Sequence, residues 1–351
     1  MTKLIDAHLL HPPTSQLIPI AKRNKELQYN ITNSCNLPRQ SLNITVNGEC
    51  YIDNCELYLP FSVCNILDVE SLEEIWDQPL AKELQQDVDD KKFTYCAVEH
   101  CGIMDRDLEH SDEQGLFQSI FVNVDDSCNL ACPSCRTGML LRLQGERFDK
   151  QVLYAKHTIK LIERYKGRTN VTLTGNGDPL ASIIMRPFVK DWIPQANHSV
   201  TLFTNGLLMK KQLAGSKILP NIGEFKISID AGCKEVYEDV RRPGVWEKLI
   251  ENLDWMQENK LPNMRIAFNF TAQKANALDI INFVRLCAKY NARGFITKLD
   301  DWKTFVDYEE EDITDNLTHP LREEFLAQLR AIDLEPNAHN IAVSHNIAKY
   351  K

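Results

Sequence analysis

Three cysteines in one short stretch constrain this sequence more than any other feature. Cys128, Cys132 and Cys135 have the spacing C-x3-C-x2-C, and they follow an apolar run from Leu116 to Val124 that predicts a buried strand. The carboxyl end of a strand is where parallel α/β proteins place their reactive groups. Three thiolates in one loop can hold three irons of a cubic [4Fe-4S] cluster and leave the fourth iron open to a ligand.

A structural zinc site is the alternative interpretation of these thiols. Zinc sites more often combine one C-x2-C pair with a second pair or with histidines. No histidine follows within twenty residues of Cys135. A zinc-stabilised binding protein without catalytic activity therefore stays open as an alternative, but the spacing favours iron and sulfur.

Length, composition and charge narrow the class of protein. At 351 residues with 43% apolar content, the chain is long enough for one large domain and a small one. The net charge is −9 and no long basic block occurs, so we expect no nucleic-acid partner. No run approaches the roughly 18 apolar residues of a membrane span. Eleven cysteines without a recognisable export signal predict a cytoplasmic protein with reduced, metal-binding thiols.

The first third of the chain divides into two segments. Residues 1–28 are interrupted by prolines and predict an irregular N-terminal arm. Residues 29–115 are rich in cysteine and predict a small α+β domain. Its hairpin turns at Asn47-Gly48, and its helix begins at Ser71 with Glu74 three residues on, as in a capping box. The six cysteines of this segment are Cys35, Cys50, Cys55, Cys64, Cys96 and Cys101.

The remainder of the chain predicts alternating strands and helices. Between residues 116 and 302, six short apolar runs are separated by segments with helical periodicity. This order predicts a parallel sheet with right-handed crossovers. Residues 303–351 predict an acidic loop and a C-terminal tail with one helix, from Leu321 to Ile332.

The segment from Cys128 to Cys135, Cys-Asn-Leu-Ala-Cys-Pro-Ser-Cys, resembles the signature of the radical SAM superfamily. This resemblance implies an α/β fold, a partial (β/α)6 TIM barrel, which is the radical SAM core. It also implies that Cys128, Cys132 and Cys135 hold a [4Fe-4S] cluster that binds S-adenosyl-L-methionine (SAM). Ser134 departs from the family, where many members have an aromatic residue beside the adenine.

The cysteine-rich segment resembles the SPASM or twitch-type auxiliary cluster domain, although most relatives carry that domain after the barrel. The resemblance implies a second [4Fe-4S] cluster with the ligands Cys35, Cys55, Cys96 and Cys101. Cys50 occupies a position that is usually apolar and Cys64 one that is usually Gly. We therefore interpret both as buried small hydrophobic residues.

Motifs at three strand ends are similar to the parts of the superfamily that bind SAM, and Asn269, in the middle of an apolar strand, carries an amide that needs a partner such as the SAM ribose. Thr174-Gly-Asn-Gly-Asp-Pro179 resembles the G-G-E-P motif, whose backbone and acidic residue contact the methionyl amino group. An arginine after the fourth strand, Arg241 or Arg242, is expected to meet the carboxylate, and we favour Arg242. The predicted SAM-binding residues are Gly175, Asn176, Gly177, Asp178, Asn205, Ser228, Asp230, Arg242 and Asn269.

The resemblance implies an enzyme that cleaves SAM reductively to a 5′-deoxyadenosyl radical and abstracts a hydrogen atom from its substrate. A reductant of the flavodoxin or ferredoxin type is implied as a partner. Oxidative modification or cross-linking of a peptide or protein side chain is the favoured reaction. The alternative is an epimerase or dehydrogenase that acts on a small molecule such as an aminosugar, with Cys233 as the hydrogen-atom donor. Cys287, in an apolar helix, is expected in the core.

Overall fold

The structure is a computed structural model that describes residues 35–52, 61–96 and 118–348. The predicted N-terminal arm, Cys55 and Cys101 lie outside the described residues. Within the described ranges, no helix is both long enough and apolar enough to cross a lipid bilayer.

Ten strands and ten α-helices are described. The strands are β1 (Ser41–Ile44), β2 (Glu49–Tyr51), β3 (Cys64–Asn65), β4 (Gln118–Val122), β5 (Thr169–Leu173), β6 (His198–Thr204), β7 (Ile222–Ser228), β8 (Arg265–Ala272), β9 (Arg293–Lys298) and β10 (Ile341–Val343). The helices are α1 (Leu37–Gln40), α2 (Glu73–Trp76), α3 (Pro79–Asp89), α4 (Glu146–Arg164), α5 (Met209–Leu213), α6 (Lys234–Val240), α7 (Trp246–Asn259), α8 (Ile280–Lys289), α9 (Arg322–Ala331) and α10 (His345–Ala348).

The chain divides into two compact units. Unit 1 comprises Met1–Val124, Gln144–Thr172 and Pro194–Ser199. Unit 2 comprises Asp125–Leu143, Leu173–Ile193 and Val200–Lys351. Every residue that we predict at the SAM site belongs to unit 2, whereas the four described cysteines before residue 115, Cys35, Cys50, Cys64 and Cys96, belong to unit 1.

Unit 1 contains the predicted hairpin. Strand β1 pairs antiparallel with β2, and β2 pairs antiparallel with β3. Gly48 lies in the turn with a φ of +75°, where a Cβ atom would meet the ring of Tyr154 at 2.6 Å, so glycine is required. Strand β1 also pairs in parallel with β4, from Ser41 beside Ser119 to Ile44 beside Val122. The cysteine-rich segment thus shares its sheet with the first strand of the predicted barrel.

The strands of unit 2 form a parallel sheet in the order β10-β9-β8-β7-β6. Apolar faces of the intervening helices cover it. Helix α8, for example, buries Ile280, Phe283, Val284 and Cys287. These four recur at helical spacing, which gives the helix one apolar side. The prediction that Cys287 belongs to the core is confirmed.

The six strands β4 to β9 alternate with helical segments along the chain, and the segment between β5 and β6 is a five-residue π-helix, Pro187–Asp191. This order fits the (β/α)6 prediction, and the α/β fold class is confirmed. The C-terminal tail contains the predicted helix as α9. It also contains β10, which pairs in parallel with β9 and which the sequence analysis did not predict. At three residues, β10 is too short to carry a recognisable alternation of apolar and polar residues.

Candidate active site

The three cysteines of the loop after β4 differ in exposure. Cys128 is half-buried and forms an isolated antiparallel bridge with Leu140. Cys132 is buried, and its carbonyl oxygen accepts hydrogen bonds from the backbone N–H groups of Cys135 and Arg136, at 2.9 and 3.0 Å. Cys135 is exposed. The loop is therefore tied down at both ends by backbone hydrogen bonds and presents three thiols from one compact turn.

Burial raises the pKa values of two of these thiols. It raises the pKa of Cys128 to about 11. Burial also raises the pKa of Cys132, although the Arg241 guanidinium opposes that rise. Both thiols are therefore protonated near neutral pH without a metal. Iron binding must displace their protons, since the thiolate is the ligand.

The Gly-Asn-Gly-Asp loop lies directly against the cysteine loop. A Cβ atom on Gly175 would lie 2.8 Å from the carbonyl oxygen of Asp125, and one on Gly177 only 2.0 Å from that of Ser127. The backbone N–H of Asp178 donates to the same Ser127 oxygen at 2.7 Å. These glycines therefore allow two backbones to meet, and a ligand contact by Gly175, Asn176 or Gly177 remains a prediction.

Asp178 is a buried carboxylate with four hydrogen-bond donors within the protein. Its Oδ1 accepts from the N–H of Leu180 at 2.8 Å. Its Oδ2 accepts from the Thr204 hydroxyl at 2.8 Å and from the N–H of Asn205 at 2.6 Å; the N–H of Ala181 is a further donor to this carboxylate. Burial raises the pKa of Asp178, and these hydrogen bonds oppose the rise. The structure thus uses Asp178 to join two strand ends, while direct contact with a ligand ammonium remains a prediction.

Asn205 connects the end of β6 to the cysteine loop. Its amide nitrogen donates to Asn129 Oδ1 at 3.0 Å and lies 3.9 Å from Cys128 Sγ. Its Oδ1 accepts from the N–H of Leu207 at 3.1 Å. The predicted site residue is therefore close to a predicted cluster ligand, as a hydrogen-bond donor to its sulfur.

Ser228, the last residue of β7, and Asn269, within β8, lie side by side as register partners. Both are half-buried. Across the described residues, neither side chain has a hydrogen-bond partner in the protein, whereas the main-chain oxygen of Asn269 accepts from Ile229 and Asp230. These two side chains are the predicted SAM contacts that remain available to a ligand.

Asp230 and Arg241 form a buried ion pair beside the cysteine loop. Arg241 Nη2 lies 2.6 Å from Asp230 Oδ2, and Asp230 Oδ1 accepts from the N–H of Thr271 at 2.8 Å. Arg241 Nη1 lies 3.8 Å from Cys132 Sγ. Burial raises the pKa of Asp230 despite the guanidinium. Asp230 therefore holds Arg241 against a predicted cluster ligand, and its own contact with SAM remains a prediction.

The two adjacent arginines have different environments. The Arg242 side chain is exposed and pairs with Asp239, while its carbonyl oxygen accepts from the N–H of Ala131 at 2.6 Å. The Arg241 side chain is only 14% exposed, and its Nε is buried without a hydrogen-bond partner in the described part of the chain. The sequence analysis favoured Arg242. The geometry makes Arg241 the stronger candidate, and a carboxylate contact by either one remains a prediction.

Cys233 lies at the N-terminus of α6 and is half-buried. The Asp279 carboxylate accepts hydrogen bonds from the N–H groups of Gly232 and Cys233, at 2.5 and 3.2 Å. Burial raises the pKa of the Cys233 thiol. The protein thus holds this thiol in place in its protonated form, and hydrogen-atom donation by Cys233 remains a prediction.

Two further arginines were missed in the sequence analysis. Arg136 donates to the carbonyl oxygens of Asp126 and Asn176, and it therefore links the cysteine loop to the glycine loop. Arg142 pairs with Asp126 through two hydrogen bonds of 2.9 and 3.0 Å. The only sequence signal for Arg136 is its position directly after Cys135.

In unit 1, Cys35 and Cys96 pack against the same two buried side chains, Val88 and Phe93. Cys50 is fully buried, as predicted, and Cys64 is half-buried. Two of the four predicted auxiliary ligands are therefore brought to one small apolar cluster, although 60 residues separate them in the sequence.

The donor set suits an iron–sulfur cluster. In the described ranges, no three His, Cys, Asp or Glu side chains are arranged to hold one metal ion, but a cubic cluster takes one thiolate per iron and requires them apart. Arg241 places positive charge beside Cys132. Arg241 Nε and Tyr237 Oη are buried without hydrogen-bond partners among the described residues. Orphaned donors of this kind indicate room for a bound group.

Two stretches of the chain match the models of known protein families. Residues 122–286 match the model of the radical SAM superfamily. Residues 35–102 match the model of the SPASM iron–sulfur cluster-binding domain. These matches imply SAM, its [4Fe-4S] cluster and at least one auxiliary cluster as cofactors. A comparison with curated proteins found no match.

Solved structures share the fold only distantly. Streptococcus suis SuiB bound to the precursor peptide SuiA is 14% identical with a TM-score of 0.45, covering 77% of this chain and 64% of SuiB. Native anSMEcpe with bound AdoMet and Cp18Cys peptide is 15% identical with a TM-score of 0.40, covering 62% of this chain and 59% of that protein. The chain thus spans less than two thirds of the length of either protein. Residues 122–286 are a radical SAM domain, a domain of a superfamily of enzymes, and residues 35–102 ahead of it are a SPASM iron–sulfur cluster-binding domain.

Proposed function

We propose that this protein is a radical SAM enzyme that oxidatively modifies or cross-links a peptide or protein side chain. The combination of a radical SAM domain with a SPASM domain supports this reaction class. The observation that carries the proposal is the set of polar groups beside the cysteine loop, where Asn205 lies near Cys128 and Arg241 near Cys132. The available side chains of Ser228 and Asn269 lie on strands adjacent in the sheet, and the Asp230–Arg241 pair contacts Cys132.

Residues of the loop after β4 would hold the SAM-binding cluster, with Cys128, Cys132 and Cys135 as its ligands. When bound, this cluster supplies the electron that splits SAM and so generates the radical that removes a hydrogen atom from the substrate. Asn205 and Arg241 donate toward two of the ligand sulfurs, which stabilises the negative charge on the thiolates. A reductant of the flavodoxin or ferredoxin class would supply the electron.

The chain's polar strand ends would orient SAM. Ser228 and Asn269 offer a hydroxyl and an amide to the ribose or the amino acid portion. Arg241 keeps one guanidinium nitrogen, Nε, without a partner among the described residues, although its other nitrogens contact Asp230 and Cys132. A buried cation of this kind attracts a carboxylate.

The auxiliary domain would hold the second cluster through Cys35, Cys55, Cys96 and Cys101. The packing of Cys35 and Cys96 on a common apolar cluster supports half of that ligand set. When bound, this cluster would supply a one-electron acceptor, which a net oxidation requires after hydrogen abstraction.

Anaerobic reconstitution followed by incubation with SAM and dithionite tests the proposal. We expect about eight irons per chain and release of 5′-deoxyadenosine. Addition of a peptide library should then give products lighter by two hydrogen atoms, detected by mass spectrometry. Tightly bound zinc without formation of 5′-deoxyadenosine would contradict the enzyme, and peptides of unchanged mass would contradict the oxidation.

A redox-neutral epimerisation is the second candidate, and Cys233 favours it. Its half-buried, protonated thiol three residues after Asp230 is suited to return a hydrogen atom. Reaction in deuterated solvent separates the two candidates. A product that differs in mass from the substrate only by incorporated deuterium supports epimerisation and contradicts oxidation. This incorporation is expected to be lost in the Cys233→Ala variant.

A further inference from the structure

Two thiols of unit 1 face each other across a pair of strands. Cys50 in β2 and Cys64 in β3 are register partners in an antiparallel ladder. Residues directly opposite in such a ladder have Cα atoms about 4.5–5.5 Å apart, within the range of about 4.4–6.8 Å that a disulfide spans. The backbone therefore brings these two cysteines to bonding distance without rearrangement.

The two thiols also differ in a way that suits stepwise chemistry. Cys50 is fully buried, whereas Cys64 is half-buried and accessible from solvent. A hydrogen bond from the Cys50 thiol lowers the pKa of Cys64. Burial, reinforced by Cys64, raises the pKa of Cys50. The accessible thiol is thus the better nucleophile, and the buried thiol is held beside it in its protonated form.

We propose that Cys50 and Cys64 form a thiol–disulfide exchange site in the auxiliary domain, separate from the iron–sulfur ligands, that closes reversibly to a cross-strand disulfide. The co-reactant is a low-molecular-weight disulfide of the glutathione class. Cys64 attacks one sulfur of this disulfide and releases the first thiolate, leaving a mixed disulfide on Cys64. Cys50 then loses its proton and attacks the Cys64 sulfur, and the second thiolate leaves.

The reaction balances in atoms and electrons. Two protein thiols lose two electrons and two protons, and the small disulfide gains them to become two thiols. No metal and no oxygen takes part. The bond would join β2 to β3 covalently and close a ring from residue 50 to residue 64, so the oxidised domain is expected to resist unfolding more strongly than the reduced one.

The test uses the reconstituted full-length protein under anaerobic conditions with oxidised glutathione. After alkylation of the remaining thiols, proteolysis at glutamates cuts after Glu49, Glu56 and Glu70. This separates a peptide with Cys50 and Cys55 from one with Cys64. We expect the two peptides to appear as one bridged product, lighter by two hydrogen atoms than the sum of the separate peptides. Fragmentation should place the bridge at Cys50, and treatment with dithiothreitol should remove it.

Variants distinguish this site from a cluster ligand set and from simple core packing. Cys64→Ser is expected to abolish the bridge and to leave the iron content per chain unchanged. Cys287→Ala, at a buried cysteine in unit 2, is the matched control and should leave both unchanged. Loss of iron in Cys64→Ser, a bridge through Cys55, or no bridge in the unaltered protein would each overturn the proposal.

Discussion

The thiols of the two units lie in contrasting surroundings. In unit 2, the sulfur of Cys128 faces the amide of Asn205, and the sulfur of Cys132 faces the guanidinium of Arg241. In unit 1, Cys35 and Cys96 pack on the apolar side chains of Val88 and Phe93. The first setting places hydrogen-bond donors and charge beside sulfur, and the second places apolar side chains beside half-buried thiols.

Under the proposed function, the two groups of thiols belong to iron–sulfur centres with different tasks. Hydrogen bonds to sulfur and nearby positive charge raise the reduction potential of a cluster, whereas an apolar surrounding lowers it. A cluster that binds SAM also requires polar groups that orient its ligand. Side chains available for that role occur in unit 2 at the end of β7 and within β8.

The largest expected effect follows from removing a ligand in unit 2. Cys128→Ala should abolish formation of 5′-deoxyadenosine and lower the iron content from about eight to about four per chain, because one cluster is lost. Iron analysis and anaerobic incubation with SAM and dithionite provide the measurement. Cys287→Ala is the control and should retain both, since Cys287 lies in the core of α8. Full iron content in Cys128→Ala would show that Cys128 is not a ligand of the cluster.

Adjacent arginines give the sharpest test of the buried charge in unit 2. Arg241→Met leaves Asp230 as an unpaired buried carboxylate and should lower the free energy of unfolding by about 3–5 kcal/mol. Arg242→Met breaks only an exposed pair with Asp239 and should lower it by less than about 1 kcal/mol. Urea denaturation of the metal-free protein, followed by tryptophan fluorescence, measures both. Equal losses would show that the Asp230–Arg241 pair contributes nothing specific.

The close approach of two loops in unit 2 predicts an intermediate effect. In Gly177→Ala, the added methyl group meets the Ser127 carbonyl, so the cysteine loop must shift. We expect a loss of about 1–3 kcal/mol in the free energy of unfolding. Gly138→Ala is the matched control, because no atom lies within 4 Å of its added Cβ. If Gly177→Ala unfolds at the same urea concentration as Gly138→Ala, the loops are not in contact.

The smallest expected effect concerns the available side chains. Ser228→Ala and Asn269→Ala should each weaken SAM binding about 2- to 10-fold, since each removes one hydrogen bond of ordinary strength. Anaerobic calorimetry on the reconstituted protein measures the affinity. Ser199→Ala, near the amino end of β6, removes a hydroxyl that bonds to Asn170 and should leave the affinity unchanged. Unaltered binding in both test variants would remove Ser228 and Asn269 from the site.

Much of the fold was predictable because its signals are local. The apolar runs that became β6 to β9 alternate with amphipathic helices such as α7, and local periodicity predicts both kinds of element. The hairpin at Asn47-Gly48 follows from the demand for a positive φ at the turn. The predicted bounds differ by only a few residues from the observed ones, because strand ends depend on pairing partners.

Pairings between distant segments were not predictable in this way. Nothing local indicates that β1 lies beside β4, or that the three residues of β10 extend the sheet past β9. Such contacts depend on which surfaces remain unpaired after the local elements have formed. Cys50 and Cys64 illustrate the same limit, because each resembles an ordinary buried residue until the ladder between β2 and β3 places them opposite each other.

The sequence by itself determined the cysteine motif and the strand-end motifs that indicate a SAM-binding cluster. The spacing of Cys128, Cys132 and Cys135 is a covalent property of the chain, and so is the order of polar strand ends after them. Only the tertiary structure decided the roles of neighbouring residues, above all of Arg241 and Arg242. The physical reason is that burial, and not residue type, decides whether a guanidinium pairs with Asp230 beside a thiol or with Asp239 in solvent.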